Sequence, residues 1–338
     1  MSDENKEAVQ TSGDLWLRKC RVLITDAQDN EAANVSDLRV TFRVQRKRDT
    51  QNFATVSIYN LTADKEKEII EKGDRVIIEA GYMGVLTTET KDEKVEVKEA
   101  EPQQYGVIFD GKILYPARGR EGNVDFVLTL ICVDGTNALD LAWVSFTQEK
   151  GMTQRQIVEN VCVKSNITIN ESKVSNDLNP TRLPRGKVFF GTPRAYFNDV
   201  CRGNAATFFM DGDKLELIKW TDPVQDEALV VEPRTGLIGV PTQTQDGASF
   251  ELLLNPHVRL GMLIKLKNSE ITENTTMPEK GKHRTPLDPD LIYQVIELTH
   301  TGDTRGNEWY TQINGISRYG KGVLAALMTS AVQNPNGK

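Results

Sequence analysis

Apolar and polar side chains alternate along much of the chain. In Leu38-Arg39-Val40-Thr41-Phe42-Arg43-Val44 every second residue is apolar, which places one set on a core face and the other toward water. The same period predicts strands over Ala54 to Tyr59, Arg75 to Ala80, Tyr105 to Leu114 and Val124 to Val133. In the last, Val124, Phe126, Leu128, Leu130 and Cys132 share one face. Gly73-Asp74, Gly81, Asp110-Gly111 and Glu121-Gly122-Asn123 read as the turns between them. Short strands in series with such punctuation predict an antiparallel barrel or sandwich.

After about residue 150 the period lengthens. Thr153 with Gln156 forms a capping box, and Ile157, Val158, Val161 and Cys162 fall on one helical stripe. Thr192-Pro193 starts a second helix with Tyr196, Phe197, Val200 and Cys201 on its stripe and Gly203 as its stop. Ala206 to Met210, Asp211-Gly212-Asp213 and Leu215 to Trp220 then predict a tight hairpin. Strand patterns return at Leu237 to Val240, Ser249 to Leu254, Met262 to Lys267, Leu291 to Thr299 and Trp309 to Ile316.

The expected class is β-rich α+β, with two antiparallel β-barrel domains flanking a small α+β middle domain. Residues 1–13 read as a mobile polar arm, 14–147 as the first barrel, 148–235 as the middle domain and 236–320 as the second barrel. Two polar stretches interrupt this. One, at about 85–104, alternates Lys and Glu and reads as a long hairpin excursion or mobile loop; the other, at about 269–290, carries prolines. Residues 321–338 form a helix-prone apolar segment and a polar tail.

Composition narrows the function. With 38% apolar and 26% charged residues in 338, the chain is globular and long enough for more than one core. A net charge of -7 argues against direct recognition of phosphate backbones. Cys20, Cys132, Cys162 and Cys201 lie too far apart for a metal knuckle and read as small buried hydrophobes. The polar start lacks an apolar leader, and no run approaches the roughly 18 apolar residues of a membrane span, so synthesis in a reducing cytoplasm is expected.

Chemistry is sparse. His257, His283 and His300 supply no local triad, and Asp134, Asp140, Glu149 and Glu159, weighed as paired carboxylates for glycoside hydrolysis, read as solvated surface. Phe42, Phe126, Phe197 and Trp220 read as core rather than as stacking platforms. No phosphate loop, nucleophile elbow, zinc helix or calcium loop is present. No catalytic, cofactor or metal residue is assigned, and no enzyme activity is expected.

One resemblance gives these blocks a context. Asn52-Phe53-Ala54-Thr55-Val56-Ser57-Ile58-Tyr59-Asn60-Leu61, Lys72-Gly73-Asp74-Arg75-Val76, Glu79-Ala80-Gly81-Tyr82 and Ile108-Phe109-Asp110-Gly111-Lys112-Ile113 follow the order of strands in the first barrel of phage tail hubs. Gly236-Leu237-Ile238-Gly239-Val240-Pro241, Leu254-Asn255-Pro256, Leu260-Gly261 and the stretch from His300 to Trp309 resemble the second. The chain thus resembles the baseplate hub of contractile-tailed bacteriophages, a family related to the hub part of type VI secretion spike proteins.

The resemblance implies a structural virion protein, assembled in the host cytoplasm. It implies a homotrimeric ring of pseudo-sixfold symmetry that joins the tail tube, or its initiator, to a trimeric spike. The end of the tape-measure protein and the surrounding baseplate wedge proteins would be further partners, with DNA only in transit through the lumen. A ring needs two different complementary surfaces on each chain, one of which is expected to involve Leu324, Leu327 and Met328. The readings set against it are a cell-wall-degrading tail enzyme and a stand-alone ligand-binding β protein.

Overall fold

A computed structural model describes residues 17–317 except 29, 84–86, 92–93, 99–103, 123, 135–138, 140–141, 175–177, 179–181, 212–213, 220–227, 244–246 and 268–290. The arm at 1–13, the polar stretch at 269–290 and the segment at 321–338 therefore lie outside the described residues. So do Asp140, Trp220, His283, Leu324, Leu327 and Met328.

The first part of the chain runs β1 (Arg18–Thr25), β2 (Glu31–Asn34), β3 (Val40–Lys47), β4 (Asn52–Tyr59), α1 (Ala63–Lys72), β5 (Arg75–Tyr82), β6 (Thr87–Lys91), β7 (Lys94–Lys98), β8 (Gln104–Glu121) and β9 (Asp125–Asp134). Then come β10 (Val144–Gln148), α2 (Gln154–Ser165), β11 (Thr168–Val174), β12 (Lys187–Gly191), α3 (Pro193–Asn204), β13 (Ala206–Asp211) and β14 (Lys214–Lys219). The last part is β15 (Leu229–Val231), β16 (Leu237–Gln243), β17 (Gly247–Leu253), β18 (Leu263–Leu266), β19 (Ile292–Asp303) and β20 (Trp309–Ser317).

The two strand-rich blocks do not stand apart. A single sheet of 13 strands runs in the order β16-β17-β20-β19-β3-β4-β9-β8-β5-β1-β2, with β15 and β18 attached beside β19. All of its pairs are antiparallel but β15 with β18. The seam between the blocks is β19 against β3, in register from Glu297 opposite Lys47 to Asp303 opposite Thr41. Alternation within β3 explains the fit. Val40, Phe42 and Val44 point into the core, and β3 is left with two edges, one taken by β4 and the other by β19.

Three hydrophobic cores sit on this frame, and each borrows from its neighbour. The first gathers β1, β3, β4, β5, β8 and β9, and takes Leu254 and Trp309 from the far end of the chain. Trp309 meets Phe42 edge to face, with ring centroids 5.5 Å apart. Gly302 lies against the same ring. A β-carbon there would stand 2.3 Å from Phe42 Cζ, so only glycine lets β19 pass Phe42 in this register.

The second core packs α2 and α3 on the three-stranded sheet β11-β14-β13. Leu139 and Val144, which precede residue 148, join it, because β10 pairs with β12 rather than with the large sheet. The third core lies under β15 to β20 and takes Phe209 and Ile218 from the hairpin β13–β14. That hairpin is buried on both faces because each face serves a different core.

Several local expectations shift. Thr153 and Gln156 close the capping box of α2. α3, however, runs through Gly203 and stops with Ala205 in the left-handed conformation. Asp110-Gly111 is no turn but lies inside β8. A β-carbon on Gly111 would fall 2.3 Å from the Val133 carbonyl oxygen, so the glycine marks a close approach of strands. The helix α1 carries no clear apolar period, having only Ile69 and Ile70, and buries Glu66 against Arg118 at 2.8 Å instead. The Lys/Glu stretch forms the separate hairpin β6–β7.

Candidate functional site

The turn between β3 and β4 locks the middle unit onto the large sheet. Asp49, held in the left-handed conformation, donates its N–H to the Phe208 carbonyl at 3.0 Å. Its Oδ1 accepts from the Thr207 hydroxyl at 2.8 Å and from the Phe208 N–H at 3.2 Å. Three residues on, Asn52 Nδ2 donates to the Met210 carbonyl at 2.9 Å and to Asp134 Oδ2 at 2.8 Å. Arg46 and Arg259 reach the two carboxylate oxygens of Asp211, at 3.5 and 3.4 Å. A polar seam thus runs along β13 where the three cores meet.

Of the residues weighed as catalytic candidates, Asp134 lies at this seam and is buried rather than solvated, and His300 is buried on β19. Burial pushes the Asp134 carboxyl up to about 7, against the downward pull of the Asn52 hydrogen bond and of Arg46. Burial, reinforced by Arg46, pushes the His300 imidazole down to about 3, and its Nδ1 lies 2.8 Å from the Thr311 hydroxyl. The others lie elsewhere. His257 is exposed in a turn closed on the Asn255 side chain, Glu149 is exposed, and Glu159 pairs with Arg155 along α2 at 3.0 Å.

Burial explains the thiols as well. Cys132, Cys162 and Cys201 are buried and Cys20 nearly so; all four are free, and their thiols are pushed up to about 12 or beyond. Among the described residues no group of His, Cys, Asp and Glu has the arrangement of a metal site, and no helix is long and apolar enough to cross a membrane.

The surface is more informative than the interior. On the outer face of the large sheet Thr55, Ile131 and Tyr115 stand directly opposite one another across β4, β9 and β8. Phe53 lies two residues along β4, and a bulge between Ile113 and Tyr115 turns Leu114 outward as well as Tyr115. Tyr115 is 61% exposed. At the far end of the β8–β9 ribbon Val124 and Phe126 are exposed too, with the Arg120 guanidinium 4.5 Å from the Phe126 ring centroid. The expected core positions of Val124 and Phe126 are therefore corrected, because the ribbon outruns the core.

A second apolar patch lies on the ribbon β10–β12. Phe146 and Phe189 face the middle core, while Val188 and Phe190 point out. Phe190 is 72% exposed and its ring centroid is 4.8 Å from that of Trp143. Neither patch was assigned from the sequence. The signal for both is an unbroken apolar run, Leu114-Tyr115 or Val188-Phe189-Phe190, where a half-buried strand should alternate.

Comparison with known proteins agrees with this architecture. A family described as baseplate hub gp41 matches residues 21–274. Among solved structures, the 43 kDa tail protein of prophage MuSo2 from Shewanella oneidensis superposes with a TM-score of 0.55 at 8% identity, over 89% of this chain and 97% of that one. A tail protein from Neisseria meningitidis gives 0.52 at 8% identity, with 89% and 97% covered. The E. coli c3393 protein gives 0.52 at 9% identity, with 84% and 75% covered. It is described as a component of the type VI secretion system with structural similarity to the T4 tail proteins gp27 and gp5. At such identities these likenesses speak for the fold. No curated protein sequence matches the chain.

Proposed function

Because this chain belongs to the baseplate hub gp41 family, a structural family of the phage tail, we propose that it forms the hub as a ring of three. The ring joins the tail tube, or its initiator, to a trimeric spike and lets DNA pass during injection. Beside the tube and spike, it meets the end of the tape-measure protein and the surrounding wedge proteins. It is built in the host cytoplasm and works without catalysis or cofactor.

The observation that carries this reading is the single sheet shared by both strand-rich blocks. Its ends differ, β2 at one and β16 at the other, and neither has a further partner strand among the described residues. A ring grows by heterologous contacts between unlike surfaces, and unlike sheet ends on one rigid frame supply them. The C-terminal residues Leu324, Leu327 and Met328 remain proposed contributors to one of those contacts.

Light scattering of the full-length protein mixed with its spike partner tests the proposal. A species with three copies of this chain is expected. A chain that stays monomeric, or that pairs with twofold symmetry, contradicts it. The rival reading as a wall hydrolase has its own test: incubation with peptidoglycan is expected to release no muropeptides. Release abolished by Asp134→Asn or Glu159→Gln would establish an enzyme instead.

A further inference from the structure

Asn52 and Asp134 face each other directly across β4 and β9, at the end of the pairing nearest the hairpin β13–β14. Both side chains are shut off from solvent. The Asn52 amide orientation is fixed by its two donated bonds, since turning it over would aim its oxygen at the Met210 carbonyl and at the Asp134 carboxyl. That leaves two buried oxygens without a hydrogen bond, Asn52 Oδ1 and Asp134 Oδ1. An ionised carboxyl and an amide oxygen both only accept, so as a carboxylate Asp134 leaves the pair half satisfied. A proton on Asp134 Oδ1 supplies the donor the pair lacks, because a protonated carboxyl can donate where an amide oxygen accepts.

We propose that Asp134 carries its proton in the folded chain and closes a two-bond acid–amide ring with Asn52, and that this ring is a proton-operated latch seating the hairpin β13–β14 on the large sheet. The ring orients the amide, and the remaining Nδ2 hydrogen is then aimed at Met210. Charges facing the pair pull in both directions. From β8 comes Asp110 and from β13 comes Asp211, both raising the carboxyl, while from β3 comes Arg46, which lowers it but whose Nη1 is directed to Asp211. Burial dominates these influences, and the carboxyl titrates near 7 rather than at 3.8.

The sign of the pH effect follows. A carboxyl raised on folding stabilises fully below about 3.8 and loses that contribution as pH rises through about 7. Above that pH a buried carboxylate stands beside Asp110 and Asp211 and the Asn52 amide oxygen loses its donor, which destabilises the pair that holds Met210.

Asp134→Asn tests the latch because an amide makes the same two-bond ring with Asn52 at every pH. Melting temperatures of the full-length wild type and variant, measured from pH 5 to pH 8.5, are expected to diverge as pH rises, the variant becoming the more stable. Using the difference between the two proteins removes other titrating groups. Hydrogen exchange of the Asp49 and Phe208 amides, corrected for its intrinsic rate, is expected to quicken above pH 7 in the wild type alone. Infrared spectra of the wild type, which need no variant, are expected to contain a protonated-carboxyl stretch at pH 6 that vanishes by pH 8.5. A melting difference independent of pH, equal exchange in the two proteins, or no protonated-carboxyl band at pH 6 would each overturn the proposal.

Discussion

At the scale of single residues, position within the folded sheet decides what each side chain can do. His300 is the clearest case. Buried and neutral, its imidazole is pushed down to about 3 from 6.5, so its contribution to stability is complete above about 6.5 and fades as pH falls toward 3. The stability advantage of the wild type over a His300→Gln variant is therefore expected to shrink steadily between pH 7 and pH 4 in thermal melts. A constant advantage would mean that His300 is not buried as described. Gly302 makes a steric prediction. Gly302→Ala must displace the Phe42 ring or β19 and is expected to cost about 1–3 kcal/mol in denaturant unfolding, the range for overpacked sites. The alternation of the sequence correctly marks Phe42 as core, but the need for glycine opposite it arises only from the pairing of strands some 260 residues apart in the chain. Local pattern carries no such information.

At the scale of elements, legibility tracks how local the cause is. The capping box of α2, the stripes of α2 and α3 and the alternation in β3 rest on neighbours a few residues away, and each was readable from the sequence. The helix α1 was not, because Lys and Glu fill most of it and Ile69 is its one residue in the first core, with Glu66 paired to Arg118 beside it. Elements whose two faces meet different surroundings mislead most. The hairpin β13–β14 is buried on both faces because it divides them between two cores, whereas β8 and β12 are apolar outward with nothing among the described residues to cover them. If the outer patch on β8 and β9 is an assembly surface, Tyr115→Glu should leave the melting temperature of the isolated chain within a degree or two while weakening assembly with its partners. The small thermal effect is expected of a substitution at an exposed side chain. A large loss of thermal stability would instead place Tyr115 in the chain's own core. Deleting residues 87–98 makes the parallel test for the hairpin β6–β7, which pairs only with itself among the described strands. Folding should survive that deletion, and incorporation into tails should not.

At the scale of the whole molecule, the two strand-rich blocks read from the sequence turn out to share one sheet, with the middle unit seated on it through the β3–β4 turn. The seam β19–β3 joins regions too far apart in sequence for any periodic pattern to announce it. With a frame continuous from β2 to β16 the two blocks cannot move independently without breaking strand pairs, which on the proposed function would let the chain pass load between tube and spike. Its unlike ends suit a closed ring. Electron cryomicroscopy of the assembled tail tip, reconstructed without imposed symmetry, tests this most directly. The account predicts three copies of the chain around the tail axis, in contact through dissimilar edges and enclosing a channel wide enough for DNA. Copies related by a twofold axis, or a single copy at the edge of the baseplate away from the axis, would contradict it.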